Sequence, residues 1–197
     1  MKMQELNCIN LSAREAEFIP FSHLVCPSVL ERGIEKQLYE WFEHTNEWSL
    51  TEEDFYTQYE FVLSDRNVPD HLRCVIGSHT IDTIQNALKK TFTVKSLETV
   101  SIVAHKLVKG HKIGVHNDYI NSEETHRLVV QINPNWDDAN GGFLMLFHSP
   151  RAEDVSKIIR PINNSAFGFE ISDRSYHAVS TVHNFSRYSV VYTFKKN

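Results

Sequence analysis

The first half of the chain carries two helical patterns. Over residues 27–45 the apolar residues Leu30, Ile34, Leu38 and Phe42 recur every four positions, which is one face of a helix, and Pro27-Ser28 supplies a start. Over residues 69–92, Leu72, Val75, Ile76, Ile81, Ile84, Leu88 and Phe92 form a second apolar face. Tyr39, Trp41 and Phe42 fall within the first pattern and read as packing. A short strand is expected over 22–25 and another over 54–63. Near residue 95 the pattern changes. Short apolar segments (VSIVAHKLV, KIGVHND, RLVVQIN, GGFLMLF, IIRPINN, SAFGFEI, YHAVSTV, RYSVVYTF) then alternate with Gly, Asn-Pro and Asp. Strands at this spacing predict an antiparallel barrel or jelly roll, with the helices packed on its outside. The fold class is α+β. The 197 residues suit one domain, with residues 1–94 as mainly helical support and 95–197 as the β core.

Composition narrows the function classes. Hydrophobic residues make up 41% and charged residues 23%, so a packed core is expected and disorder is not. The net charge of −5 argues against a nucleic-acid partner, which calls for a basic stripe. Cys8, Cys26 and Cys74 are scattered and lack C-x-x-C spacing, which excludes a disulfide framework or zinc knuckle and fits a reducing cytoplasm. The opening segment has no apolar leader core, and no apolar run is long enough to span a membrane.

The chemistry starts at His116-Asn117-Asp118. On a strand, residues i and i+2 share a face, so an imidazole and a carboxylate would converge on one point. With 11 histidines in the chain, one such spacing is close to what chance supplies. Three further features give it meaning. His177, in YHAVSTV, lies on a later strand and offers a third ligand. Arg187 heads the apolar segment RYSVVYTF, where an inward guanidinium needs an anionic partner. Ser189 shares its face, so the two can grip the distal carboxylate of a dicarboxylate. Two histidines and one carboxylate leave three open positions on a metal, the facial arrangement of non-haem Fe(II) oxygenases. Two of those positions suit the keto-acid end of 2-oxoglutarate and one suits O2.

In the order HND, HRLVVQINPNW, GGFLML, YHAVSTV, RYS, the C-terminal segment resembles the 2-oxoglutarate/Fe(II) oxygenase superfamily, in its prolyl-4-hydroxylase-like branch. The resemblance implies a double-stranded β-helix, a jelly-roll or cupin-like barrel. It implies that His116, Asp118 and His177 hold iron, that Arg187 binds the distal carboxylate of 2-oxoglutarate, and that Leu144 packs against this cosubstrate. Ascorbate is the expected reductant in vitro. Relatives often carry a tyrosine in a Y-x-x-G element ahead of H-x-D, and here that position is Leu107. Halogenases of the superfamily replace the carboxylate ligand with a small residue, so the retained Asp118 favours oxygenation.

On the strand after Asp118, the residues Arg127, Val129, Gln131 and Asn133 share one face. If that face is inward, Gln131 approaches 2-oxoglutarate and Arg127 or Asn133 approaches substrate, while Leu128, Val130 and Ile132 face the core. Gly141-Gly142 is expected to make a tight turn. His105, His111, His126, His148 and His183 are not expected to be ligands.

The function expected is hydroxylation of an unactivated C–H bond in an amino acid, peptide or natural product, with succinate and CO2 as co-products. A small molecule or short peptide is favoured because the chain is close to a minimal catalytic core. The alternatives are desaturation, cyclisation or epimerisation at the same site, prolyl hydroxylation of a protein, and a cupin-like metal-binding module without catalysis.

Overall fold

The computed structural model describes residues 7–197; residues 1–6, part of the opening segment expected to lack an apolar leader, lie outside them. Twelve strands and two α-helices are described: β1 (Glu15–Glu17), β2 (His23–Cys26), α1 (Ile34–His44), β3 (Ser49–Glu53), β4 (Tyr56–Val62), α2 (Ser78–Phe92), β5 (Leu97–Leu107), β6 (Ile113–His116), β7 (His126–Ile132), β8 (Leu144–Phe147), β9 (Val155–Ile159), β10 (Ala166–Glu170), β11 (His177–Val179) and β12 (Arg187–Lys196).

The strands run in the order β1-β2-β10-β7-β12-β5-β4-β6-β11-β8-β9, with β3 on β4, and every pairing is antiparallel. The sheet folds over between β4 and β6, which meet at one pair, Tyr56 and Ile113. A large sheet centred on β12 therefore faces a small one, β6-β11-β8-β9. This curled half-barrel matches the double-stranded β-helix expected. Its two-sided burial explains why the sequence of β12 reads as an unbroken run: Arg187 through Phe194 are all buried.

One apolar cluster lies between the large sheet and the helices. There Leu38, Phe42, Leu72, Ile84 and Leu88 meet Leu128, Val130, Ile132, Tyr192 and Phe194. A second fills the space between the two sheets with Leu107, Leu144, Leu146, Phe167, Phe169 and Val179. The alternation expected for β7 holds, with Leu128, Val130 and Ile132 towards the helices and Arg127, Val129 and Gln131 towards the inter-sheet cavity.

Both helices are shorter than their periodicity implies. The first begins at Ile34 rather than near Pro27, because Leu30 is bridged to Ile9 and Gly33 takes a left-handed conformation (φ 94°). The second pattern is broken at Gly77. A 3-10 turn over Asp70–Ile76 closes there, and α2 starts afresh at Ser78. Glycine's poor helix propensity makes this the natural point of interruption. Residues 1–94 also contribute strands β1 to β4 to the sheet, not helices alone. No helix among the described residues is long and apolar enough to cross a membrane.

Candidate active site

The two sheets enclose a cavity of about 300 Å³ lined by residues from both walls. His116 on β6 and His177 on β11 are directly paired across these strands, so their side chains share a face, and the ring centroids are 4.2 Å apart. The Nδ1 of each ring binds a backbone carbonyl two residues earlier, Gly114 at 2.9 Å and Ser175 at 2.8 Å. If each Nδ1 carries the proton, each Nε2 keeps its lone pair for a metal. Burial lowers the pKa of His177, which favours the neutral, ligating form.

Asp118 reaches this pair by a different route from the one its spacing suggests. Strand β6 ends at His116, and Asp118 lies beyond it with φ 61°. A left-handed turn, which aspartate tolerates better than most residues, brings the carboxylate back over the histidines. The turn is pinned by Asn117, whose amide donates to Asp173 O (3.2 Å) and whose carbonyl accepts from Ser175 Oγ (2.8 Å). Asp118 Oδ1 is 3.3 Å from His116 Nε2, and Oδ2 is 3.2 Å from His177 Nε2. All three ligand atoms lie within 4.8 Å of one another, close enough for one divalent ion.

Arg127 joins this cluster. Its Nη1 lies 2.7 Å from Asp118 Oδ2, although that oxygen has no hydrogen bond of good geometry, and its Nη2 pairs with Glu124. Burial alone would raise the Asp118 pKa; Arg127, with the two histidines, holds it well below the usual carboxylate range. The carboxylate is therefore ionised. Its poorly satisfied Oδ2 suits a cation.

On the large-sheet wall the same cavity is lined by Arg187, Ser189, Gln131 and Leu144. Arg187 is 4% exposed, and its Nε donates to Gly142 O at 3.0 Å. Burial pushes its pKa down to about 10, and no carboxylate among the described residues offsets this. A buried guanidinium without a counter-ion is costly, which is a physical reason to expect an anionic ligand. Gly142 explains how the side chain fits: its φ is 71°, and a Cβ there would stand 2.9 Å from Arg187 Cδ. The Gly141-Gly142 turn leads directly into β8.

Asn133, expected to approach substrate, is placed elsewhere. It is 1% exposed, outside the cavity lining, and its side chain is used up by Pro161 O, Gln131 Oε1 and the Tyr188 N–H. Leu107 is fully buried in the inter-sheet apolar cluster, so it contributes packing where relatives often have a tyrosine. Among the histidines not expected to be ligands, His105 does reach the cavity. The sequence reading also missed Phe55, Tyr56, Gln58 and Glu60. The last three are alternate residues on β4, so period-two spacing over 54–63 marks that face.

Comparison with known proteins agrees with this geometry. No curated protein matches the chain in sequence. A prolyl-4-hydroxylase from Pseudomonas putida has a similar structure (TM-score 0.67, 15% identity), covering 93% of this chain and 91% of that one. A prolyl hydroxylase from Trichoplax adhaerens, in complex with a hypoxia-inducible-factor peptide, superposes with a TM-score of 0.65 at 13% identity (88% and 83% coverage). HygX from Streptomyces hygroscopicus, with nickel and 2-oxoglutarate bound, gives 0.60 at 10% identity (89% and 83%). These likenesses concern the fold. The family itself comes from the sequence model described as the 2OG-Fe(II) oxygenase superfamily, which matches residues 102–195 and so spans all three candidate ligands and Arg187. That segment, just under half of the chain, matches the 2OG-Fe(II) oxygenase superfamily, the 2-oxoglutarate-dependent dioxygenases whose cofactors are Fe(II), 2-oxoglutarate and O2, and the His-Asp-His cluster lies within it.

Proposed function

We propose that the chain, as one domain, hydroxylates an unactivated C–H bond of an amino acid, peptide or natural product, with His116, Asp118 and His177 as the iron ligands. One observation carries this reading: a single cavity holds both a His-Asp-His cluster and a buried, uncompensated Arg187. Bound iron supplies O2 activation coupled to oxidative decarboxylation of 2-oxoglutarate to succinate and CO2.

The chain's own residues position the reactants. Arg187 and Ser189 grip the distal carboxylate of 2-oxoglutarate. Gln131, 3% exposed and in the cavity lining, offers its amide beside them. Leu144, Phe167 and Val179 exclude water from the cosubstrate. Asp118, held ionised by Arg127, completes a ligand set of two imidazoles and one carboxylate. The three cysteines are free, and a reducing cytoplasm is the setting proposed for the enzyme.

Prolyl hydroxylation of a peptide is a second reading, favoured by the similarity to a prolyl hydroxylase solved with a peptide. Desaturation, cyclisation and epimerisation would use the same residues. The test is succinate formation from 2-oxoglutarate under air with Fe(II) and ascorbate, with candidate substrates added. Turnover lost in His116→Ala is expected. Wild-type protein that forms no more succinate than this variant under every condition would contradict the reading.

A further inference from the structure

The registers of the large sheet place a polar row across the cavity wall. Glu60 on β4 pairs with His105 on β5, His105 with Ser189 on β12, and Ser189 with Gln131 on β7. At about 4.8 Å between neighbouring strands, the Glu60 backbone is roughly 10 Å from that of Ser189. The Ser189–Gln131 end belongs to the proposed cosubstrate site, so Glu60 marks the opposite end. A further cavity of about 350 Å³ adjoins there and shares Glu60, His105, Arg127 and Val191 with the first.

Glu60 is the carboxylate left over when the charges of this region are paired. Arg127 engages both Asp118 and Glu124. Arg187 faces the cosubstrate, and Fe(II) and 2-oxoglutarate carry equal and opposite formal charges. Among the described residues Glu60 has no lysine or arginine partner. It accepts from Thr51 Oγ1 (3.1 Å) and Gln58 Nε2 (2.7 Å), and its one cationic candidate is His105 Nε2 at 3.8 Å. Burial, with Arg127 and Arg187 nearby, pushes the His105 pKa down to about 3, so that ring is neutral and leaves Glu60 uncompensated. Thr51 and Gln58 hold the carboxylate in place without removing its charge.

We propose that Glu60 is a cation subsite of the substrate pocket, selecting a substrate with an ammonium or guanidinium group some way along the chain from the carbon that is oxidised. This rests on the oxygenase reading of the cavity and names the substrate class for it. The row sets the two ends, cosubstrate at Ser189 and Gln131 and cationic nitrogen at Glu60, and the carbon to be oxidised would be presented to His116 and Asp118 across the same cavity. Free basic amino acids, their amines, and short peptides ending in or containing lysine or arginine fit this description. The β3–β4 turn adds Glu52, Glu53 and Asp54 at an exposed edge, which favours approach of cations.

The test measures succinate formation by the Fe(II)- and 2-oxoglutarate-loaded protein with paired probes: L-lysine, L-arginine, agmatine and Lys- or Arg-containing tripeptides against L-norleucine, L-citrulline and the matched neutral tripeptides. Stimulation confined to cationic members is expected, with KM for the best of them raised about tenfold or more in Glu60→Gln. Glu60→Gln keeps the shape and an acceptor oxygen; should it not fold, the wild-type preference for charge over its isostere is an independent arm. Equal stimulation by neutral isosteres, no stimulation by any cation, or an unmoved KM in Glu60→Gln would each overturn the subsite. Calorimetric 2-oxoglutarate binding to the wild-type protein separates the two levels: if it is present, only the subsite falls, and if it is absent, the oxygenase reading falls with it.

Discussion

Arg127 Nη1 stands 2.7 Å from Asp118 Oδ2, and the same guanidinium holds Glu124 with its other nitrogen. The carboxylate of a candidate metal ligand is thereby oriented by a residue that cannot itself bind metal. Groups that orient ligands in this way are worth about 10- to 100-fold in metal affinity. Arg127→Gln should therefore weaken Fe(II) or Mn(II) binding by about tenfold, with Arg127→Lys intermediate because it keeps the charge but loses the fork. Titration calorimetry checks this. Tighter binding in Arg127→Gln would mean that the guanidinium competes with the ion for Oδ2.

Arg187 gives a prediction with two opposite signs. Its charge is buried without a counter-ion among the described residues, so Arg187→Met should leave the thermal stability of the unliganded protein unchanged or raised. The same variant should lose about 100-fold or more in 2-oxoglutarate affinity. Wild-type Tm should rise on adding 2-oxoglutarate with a divalent metal, and the variant's should not. A lowered Tm in the unliganded variant would show that Arg187 is stabilised by contacts within the protein.

Gly142 ties the β8 turn to the same guanidinium. With φ at 71° and Arg187 Cδ 2.9 Å from any added Cβ, Gly142→Ala should displace the arginine. KM for 2-oxoglutarate should rise about tenfold, for a stability cost on the order of 1 kcal/mol from the backbone. An unchanged KM would mean that the guanidinium position is not set by this turn.

His126 predicts the pH dependence of stability. It is fully buried, its Nε2 has no partner among the described residues, and burial pushes its pKa down to about 4 from 6.5. As pH falls below 6.5, the unfolded chain takes up this proton before the folded one does. The contribution of this group is therefore intact above pH 6.5 and lost progressively towards pH 4, by about 2 kcal/mol at pH 5. Urea unfolding at pH 7 and pH 5 measures it, and His126→Phe should flatten the difference.

These residues also show what a sequence can and cannot disclose. The β core was legible because period-two alternation and turn residues recur from residue 95 onward, and β7 sorts its two faces as that alternation requires. His177 and Arg187 were legible because a polar residue on a two-sided buried strand has few explanations. Asp118 comes to the two histidines through a left-handed turn beyond β6, which a two-residue spacing does not disclose. The break at Gly77 was hidden because the apolar positions on either side keep helical spacing. Asn133 was misplaced because strand alternation gives a face but not the depth at which that face leaves the cavity. Glu60 went unnoticed because its meaning depends on His105 and Ser189, which only the sheet register brings alongside it.

The central claim is that His116, Asp118 and His177 together hold one metal ion. Anaerobic calorimetric titration of Fe(II) into the wild-type protein and into His116→Ala, Asp118→Ala, His177→Ala and Arg187→Met tests it most directly. The account predicts one ion per chain in the wild type and in Arg187→Met, and loss of that site in each of the three ligand variants. Fe(II) binding that survives in any of those three with wild-type affinity would contradict it.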